Sequence, residues 1–289
     1  MKNNPKNEKF VLGTVLQAKD EIDAYILNEI VQLPMQLQVE HVVFFGRGKD
    51  DKSYEKHFGQ MLDLGDLMTK TNDALRNYEK VQKESMNTFR EKSLKDTNKN
   101  IFLSTRSPEL NREIDYFLSG IKSSLDQLAQ ILGLILDTKI NGWHKGTENG
   151  KELSGIKIVR ILKKLLPEDK NRQKRYQNLI NHIETNLEPL TYLVKLRDKA
   201  NHRGGLKNIS DIMYDSETKK VYPQTIRHSK NEAELVLGFM KRTMLGFNTF
   251  ANSFIILAYM LNSPSDMVIQ RRNNPVAYNW AIIQKEKIK

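Results

Sequence analysis

The sequence predicts an all-α fold: an antiparallel helical bundle, an additional mostly helical N-terminal region and a small hairpin insertion. Apolar residues recur at steps of three and four along most of the chain, the spacing that gathers them on one helical face. Within the bundle, strand-like composition is limited to a short stretch around residues 212–222. A chain of 289 residues, 39% hydrophobic and 28% charged, is long and apolar enough to build a real core.

The elements follow in order. Ile22, Tyr25, Ile26 and Ile30 predict a helix that Pro34 ends. Val42-Val43-Phe44-Phe45-Gly46 reads as a short strand or a buried turn. Tyr54, Phe58, Met61, Met68, Leu75 and Tyr78 predict a long helix reaching toward Phe89, and the polar run from Lys92 to Asn100 reads as a boundary. The N-terminal region, of unassigned role, is therefore set at 1–105, the bundle at 106–262 and a C-terminal extension at 263–289.

Within the bundle, Ser107-Pro108 is a helix start signal, and Leu110, Ile114, Phe117, Ile121, Leu125, Leu128, Leu132 and Ile135 form one stripe. The segment from Asn141 to Gly146 is turn-like, and the loop is expected to run to about Gly150. Ile158, Ile161, Leu162 and Leu165 predict a short helix stopped near Pro167. Leu179, Ile180, Ile183 and Leu187 predict the next. Pro189 suits the first position of a further helix, whose stripe is Leu190, Leu193 and Val194. Ile212-Met213-Tyr214 and Lys220-Val221-Tyr222 flank a polar turn and predict the hairpin. A last helix is expected from about Asn231 to Leu261, with Val236, Phe239, Phe247, Phe250, Phe254 and Ala258 inward.

Composition narrows the function. The chain has no cysteine, which excludes disulfides and thiolate metal sites and fits a reducing cytoplasm. The polar start lacks the apolar core of a signal peptide, and the most apolar stretch, near Phe254 to Leu261, is too short to span a bilayer. A cytoplasmic protein with no membrane partner is expected. The formal charge of +11 favours a polyanion such as nucleic acid. The densest basic cluster is Lys163, Lys164, Lys170, Arg172, Lys174 and Arg175, suited to phosphate contacts that do not read sequence. No phosphate-binding glycine loop and no metal-ligand cluster is present, so no cofactor and no metal is expected. His41, His57, His144 and His228 read as incidental.

The most informative segment is Leu196-Arg197-Asp198-Lys199-Ala200-Asn201-His202-Arg203-Gly204-Gly205. It sets an arginine and a histidine in the last turns of a helix that two glycines end. Histidine exchanges protons near neutral pH, and the forked arginine cation matches phosphate oxygens. Arg175 and His182 share a similar spacing, but in mid-helix and without a break. Five residues separate Arg197 from His202, about 140° around the helix. The two converge if the helix frays at Gly204, if arginine's length bridges the gap, or if a second copy of the chain completes the site.

A helix containing Ser123-Ser124-Leu125-Asp126-Gln127-Leu128-Ala129, two more helices, the segment Leu196 to Arg203 and a closing helix together resemble the HEPN superfamily over roughly 106–261. That all-α group includes prokaryotic toxins, defence proteins and RNA-processing enzymes. Its signature is an arginine, often followed by a polar residue, with a histidine four to six residues on; Arg197, Asp198 and His202 match it. The resemblance implies a metal-independent endoribonuclease acting as a homodimer on RNA, with an antitoxin or other protein as a possible partner. His202 would move the proton and Arg197 would neutralise phosphate charge. Asp198 would orient one of them, Asn201 would donate to phosphate, and Arg203 would add to the nucleic-acid contacts. Some members of the superfamily are non-catalytic and bind nucleic acid, nucleotides or proteins, which is the alternative reading. The loop after Asp137, the hairpin and the first hundred residues lie outside the common four-helix core.

Overall fold

The computed structural model describes residues 19–26, 30, 51–93, 102–202, 208–229, 232–261, 267–271 and 280–284. Its elements in chain order are α1 (Glu21–Tyr25), α2 (Asp51–Ser93), β1 (Phe102–Thr105), α3 (Pro108–Ile135), β2 (Lys145–Glu148), β3 (Lys151–Ser154), α4 (Ile156–Lys164), α5 (Lys170–His202), β4 (Ile212–Asp215), β5 (Lys220–Tyr222), β6 (Thr225–Arg227), β7 (Ala233–Leu235), α6 (Val236–Met260), β8 (Met267–Arg271) and β9 (Trp280–Gln284). The described part is mostly helical with a few small sheets. The expected strand or turn at residues 42–46 lies outside the described residues.

Helices α2, α3 and α4 sit where their stripes predict them. The Ser107 hydroxyl accepts from the Leu110 N–H, satisfying one of the free donors at the start of α3, and Pro108 occupies a position whose N–H needs no partner. At the other end Asp137 turns left-handed at φ 49°. The Thr138 N–H then reaches the Gly133 carbonyl at 2.8 Å and the Asp137 N–H reaches that of Leu134 at 3.3 Å. Between these caps Leu110, Ile114, Phe117, Ile121, Leu125, Leu128 and Leu132 are almost wholly buried. They share one hydrophobic cluster with Met61, Leu64, Met68, Leu75 and Tyr78 of α2 and with the inward residues of α4, α5 and α6. β1 pairs with β4, so a strand before residue 106 joins the predicted hairpin β4–β5 in a three-stranded sheet.

Three expectations are corrected. Pro189 does not begin a helix: α5 runs through it for 33 residues. A proline inside a helix removes one hydrogen bond and costs about 3 kcal/mol. Here Leu179, Ile180, Ile183, Leu187, Leu190 and Val194 bury along one continuous face, and each such side chain is worth about 1.5–3 kcal/mol. The burial wins, and the proline itself lies on the exposed side. The expected loop to Gly150 is instead the hairpin β2–β3, with Glu148 opposite Lys151. Asn149 and Gly150, at φ 50° and 75°, make the two-residue turn whose twist suits such a hairpin. Finally, α6 starts at Val236 and not near Asn231, because Ala233–Leu235 pairs with Thr225–Arg227.

Trp143 explains why β2–β3 stays in place. It lies between the hairpin and α6, fully buried, with ring centroids 5.7 Å from Phe250 and 5.9 Å from Phe254. Its backbone N–H donates to Asp126 of α3 at 2.7 Å. Gly155, at φ 96°, packs against the indole so closely that a Cβ there would fall 2.5 Å from the ring.

Candidate active site at the end of α5

Arg197 and Asp198 lie in the last two turns of α5. Seven residues earlier on the same face, since seven is close to two full turns, Thr191 accepts a hydrogen bond at 2.7 Å from the Ser154 N–H. That bond fixes β3 to α5. Lys145 sits opposite Ser154 in the hairpin register, so its side chain is delivered to Asp198. The Lys145 Nζ lies 2.5 Å from Asp198 Oδ2 and 3.5 Å from a Glu152 oxygen. The other Asp198 oxygen accepts from Arg197 Nη1 at 3.2 Å. Asp198 thus bridges two cations.

The electrostatics follow from this bridging. Burial raises the Asp198 carboxyl, but hydrogen bonds from Lys145 and Arg197, with their charges, outweigh burial and hold it below the usual carboxylate range. The hydrogen bond to Asp198 holds the Lys145 ammonium above its ordinary value. The Arg197 guanidinium is about one-third exposed, while its Nε is buried with no hydrogen-bond partner among the described residues. It is therefore a partly buried cation with donor capacity left over, oriented by a carboxylate beside it. Lys145 was not singled out by sequence reasoning, since its place depends on a hairpin partner 53 residues from Asp198.

Of the other expected site residues, Asn201 and His202 close α5, but their side chains lie outside the described part, as does Arg203 entirely. The basic cluster divides. Lys164, Lys170, Arg172 and Lys174 are exposed. Lys163 is paired with Glu184 at 2.8 Å, and Arg175 donates to the Met260 carbonyl at 3.0 Å, serving the C-terminal end of α6. At 1.5 Å per residue, Lys170 lies about 40 Å along α5 from Arg197. Within one chain Lys170, Arg172, Lys174 and Arg175 and the signature segment occupy opposite ends of α5, while Lys163 and Lys164 close α4.

The second arginine–histidine pair is structural. His182 stacks on Phe250 with centroids 5.0 Å apart, and its Nε2 is 3.1 Å from the Phe250 carbonyl. Burial holds this imidazole below its ordinary pKa. His228, read as incidental, is bound at both ring nitrogens: Tyr192 Oη at Nδ1 and Glu234 at Nε2, each at 2.5 Å.

Among the described residues no group of three or more His, Asp or Glu is placed to hold a metal ion, and no helix is long and apolar enough to cross a membrane. No family model, curated protein or solved structure matches this chain.

Proposed function

We propose that this protein is a metal-independent endoribonuclease of the HEPN type, a homodimer built on a four-helix core and acting as a toxin or defence effector. The observation that carries the reading is the state of Arg197. It is a partly buried cation with an unpartnered Nε, steered by Asp198, five residues before His202 at the end of a long helix. In the reaction the ribose 2′-hydroxyl attacks the adjacent phosphorus as His202 takes its proton. The bond to the 5′-oxygen breaks, that oxygen gains a proton from the partner's His202, and a 2′,3′-cyclic phosphate remains. General acid–base help of this kind is worth about 10²- to 10⁴-fold. Arg197 neutralises charge growing on the non-bridging oxygens. Lys145 is a second cation beside it, and Asp198 holds both in place. The 140° between Arg197 and His202 on one helix supports completion of the site by a second copy.

The test is cleavage of single-stranded RNA by the purified protein, with and without EDTA, against His202→Ala and Arg197→Ala. The expected result is EDTA-resistant cleavage that leaves a cyclic phosphate and is abolished in both variants. Activity lost to EDTA and restored by magnesium would refute the mechanism. RNA binding without cleavage in the wild type would favour a non-catalytic binding module instead.

A further inference from the structure

On the far side of α5 from the β2–β3 hairpin, a cavity of about 490 Å³ opens between α5 and α6. This is within the range of small-molecule sites. Its walls are largely apolar and aromatic, including Leu190, Leu193, Phe239, Phe247 and Phe250. One polar group set into that wall, Tyr192, has its hydrogen bonding organised by a chain of partners. Arg242 is bonded to Glu234, Glu234 to His228 Nε2 at 2.5 Å, and His228 Nδ1 to Tyr192 Oη at 2.5 Å.

The hydrogen bond from Arg242 holds Glu234 below its ordinary pKa, so it is a carboxylate and can only accept. His228 Nε2 therefore carries the hydrogen. In the neutral imidazole Nδ1 must then accept, so the Tyr192 hydroxyl donates to it. Burial first, and then the charges of Glu234 and Glu232, raise the Tyr192 pKa and keep its proton on. The phenol oxygen has spent its only donor and keeps lone-pair capacity at the cavity wall. The rim carries one charge of each sign, Glu232 and Arg242, so a ligand needs no net charge.

We propose that this cavity binds a small uncharged aromatic compound bearing an O–H or N–H donor, which Tyr192 accepts while the phenylalanines enclose the ring. The inference is independent of the ribonuclease reading, since none of these residues belongs to the Arg197 site.

Fluorescence titration with 2-naphthol and 2-fluoronaphthalene, near-isosteric probes that differ in one donor, tests it. The wild type is expected to bind 2-naphthol about tenfold more tightly, the worth of one hydrogen bond. Tyr192→Phe should bind the two equally. Gly246 lines the same cavity, and nothing lies within 4 Å of where its Cβ would stand, so Gly246→Phe can fill the space without disturbing the helix. That variant should bind neither probe. The proposal is overturned if the wild type binds neither probe or both equally. It is overturned too if the preference survives in Tyr192→Phe, or if Gly246→Phe binds like the wild type.

Discussion

Replacing Gly155 by alanine tests how the hairpin is held, and two further glycines make the test quantitative. At Gly155 the backbone is left-handed at φ 96°, which costs an L-residue about 1–2 kcal/mol. The added Cβ would also stand 2.5 Å from the Trp143 ring, which is fully buried and cannot swing away. Such overpacking costs about 1–3 kcal/mol. The reduced entropy of the unfolded chain returns about 0.4–1 kcal/mol. The net expectation is a loss of about 2–4 kcal/mol. Gly150, at φ 75°, carries the same backbone penalty, but nothing lies within 4 Å of its Cβ position, so Gly150→Ala should lose only about 1 kcal/mol. Gly246 is helical and equally open, so Gly246→Ala should gain about 0.5–1 kcal/mol. Urea unfolding followed by circular dichroism gives all three. If Gly155→Ala and Gly150→Ala cost the same, the indole is not pressed against Gly155 and the account of the hairpin fails.

Other outcomes follow from the same geometry. Asp198→Asn removes the charge that steers Arg197 and Lys145, and should lower RNA cleavage at least tenfold with the unfolding midpoint at neutral pH shifted only slightly; unchanged kcat would remove Asp198 from the site. His182 has a depressed pKa, so the unfolded chain binds its proton first and stability is lost as pH falls below about 6.5. The urea midpoint should decline between pH 7 and 5.5, and less steeply in His182→Gln; equal slopes would contradict the assignment, with His57, also lowered by burial, supplying the remainder. Charge reversal at Lys170 and Lys174 should weaken RNA binding and flatten its salt dependence by about 0.7 in log–log slope for each phosphate no longer neutralised. An unchanged slope would show that this end of α5 does not meet RNA.

The parts of the fold legible in the sequence were those set by local periodicity. The α3 stripe and its Ser107-Pro108 start are satisfied within a single helix, so neighbouring residues were enough to find them. The β4–β5 hairpin was legible from two short strand-like runs. Pro189 misleads because a local breaker signal is outweighed by burial spread over about four turns, which only the assembled core reveals. Asn149-Gly150 carried a turn signal in plain view, but the strands beside it, Lys145–Glu148 and Lys151–Ser154, are too polar to read as strands. They are held from outside, by Thr191 and Trp143. Lys145 and His228 were invisible for a related reason: their partners Asp198 and Tyr192 are 53 and 36 residues away, and no spacing rule reaches that far.

The placement of Trp143 has an optical consequence. An indole enclosed by Phe250 and Phe254 emits at shorter wavelength than one in water, and it reddens when the packing of the hairpin against α6 opens. With Trp280, the chain's other tryptophan, replaced by phenylalanine, the emission maximum becomes a direct record of whether β2–β3, and Lys145 with it, is seated against α5. Seating of the hairpin can then be followed in real time.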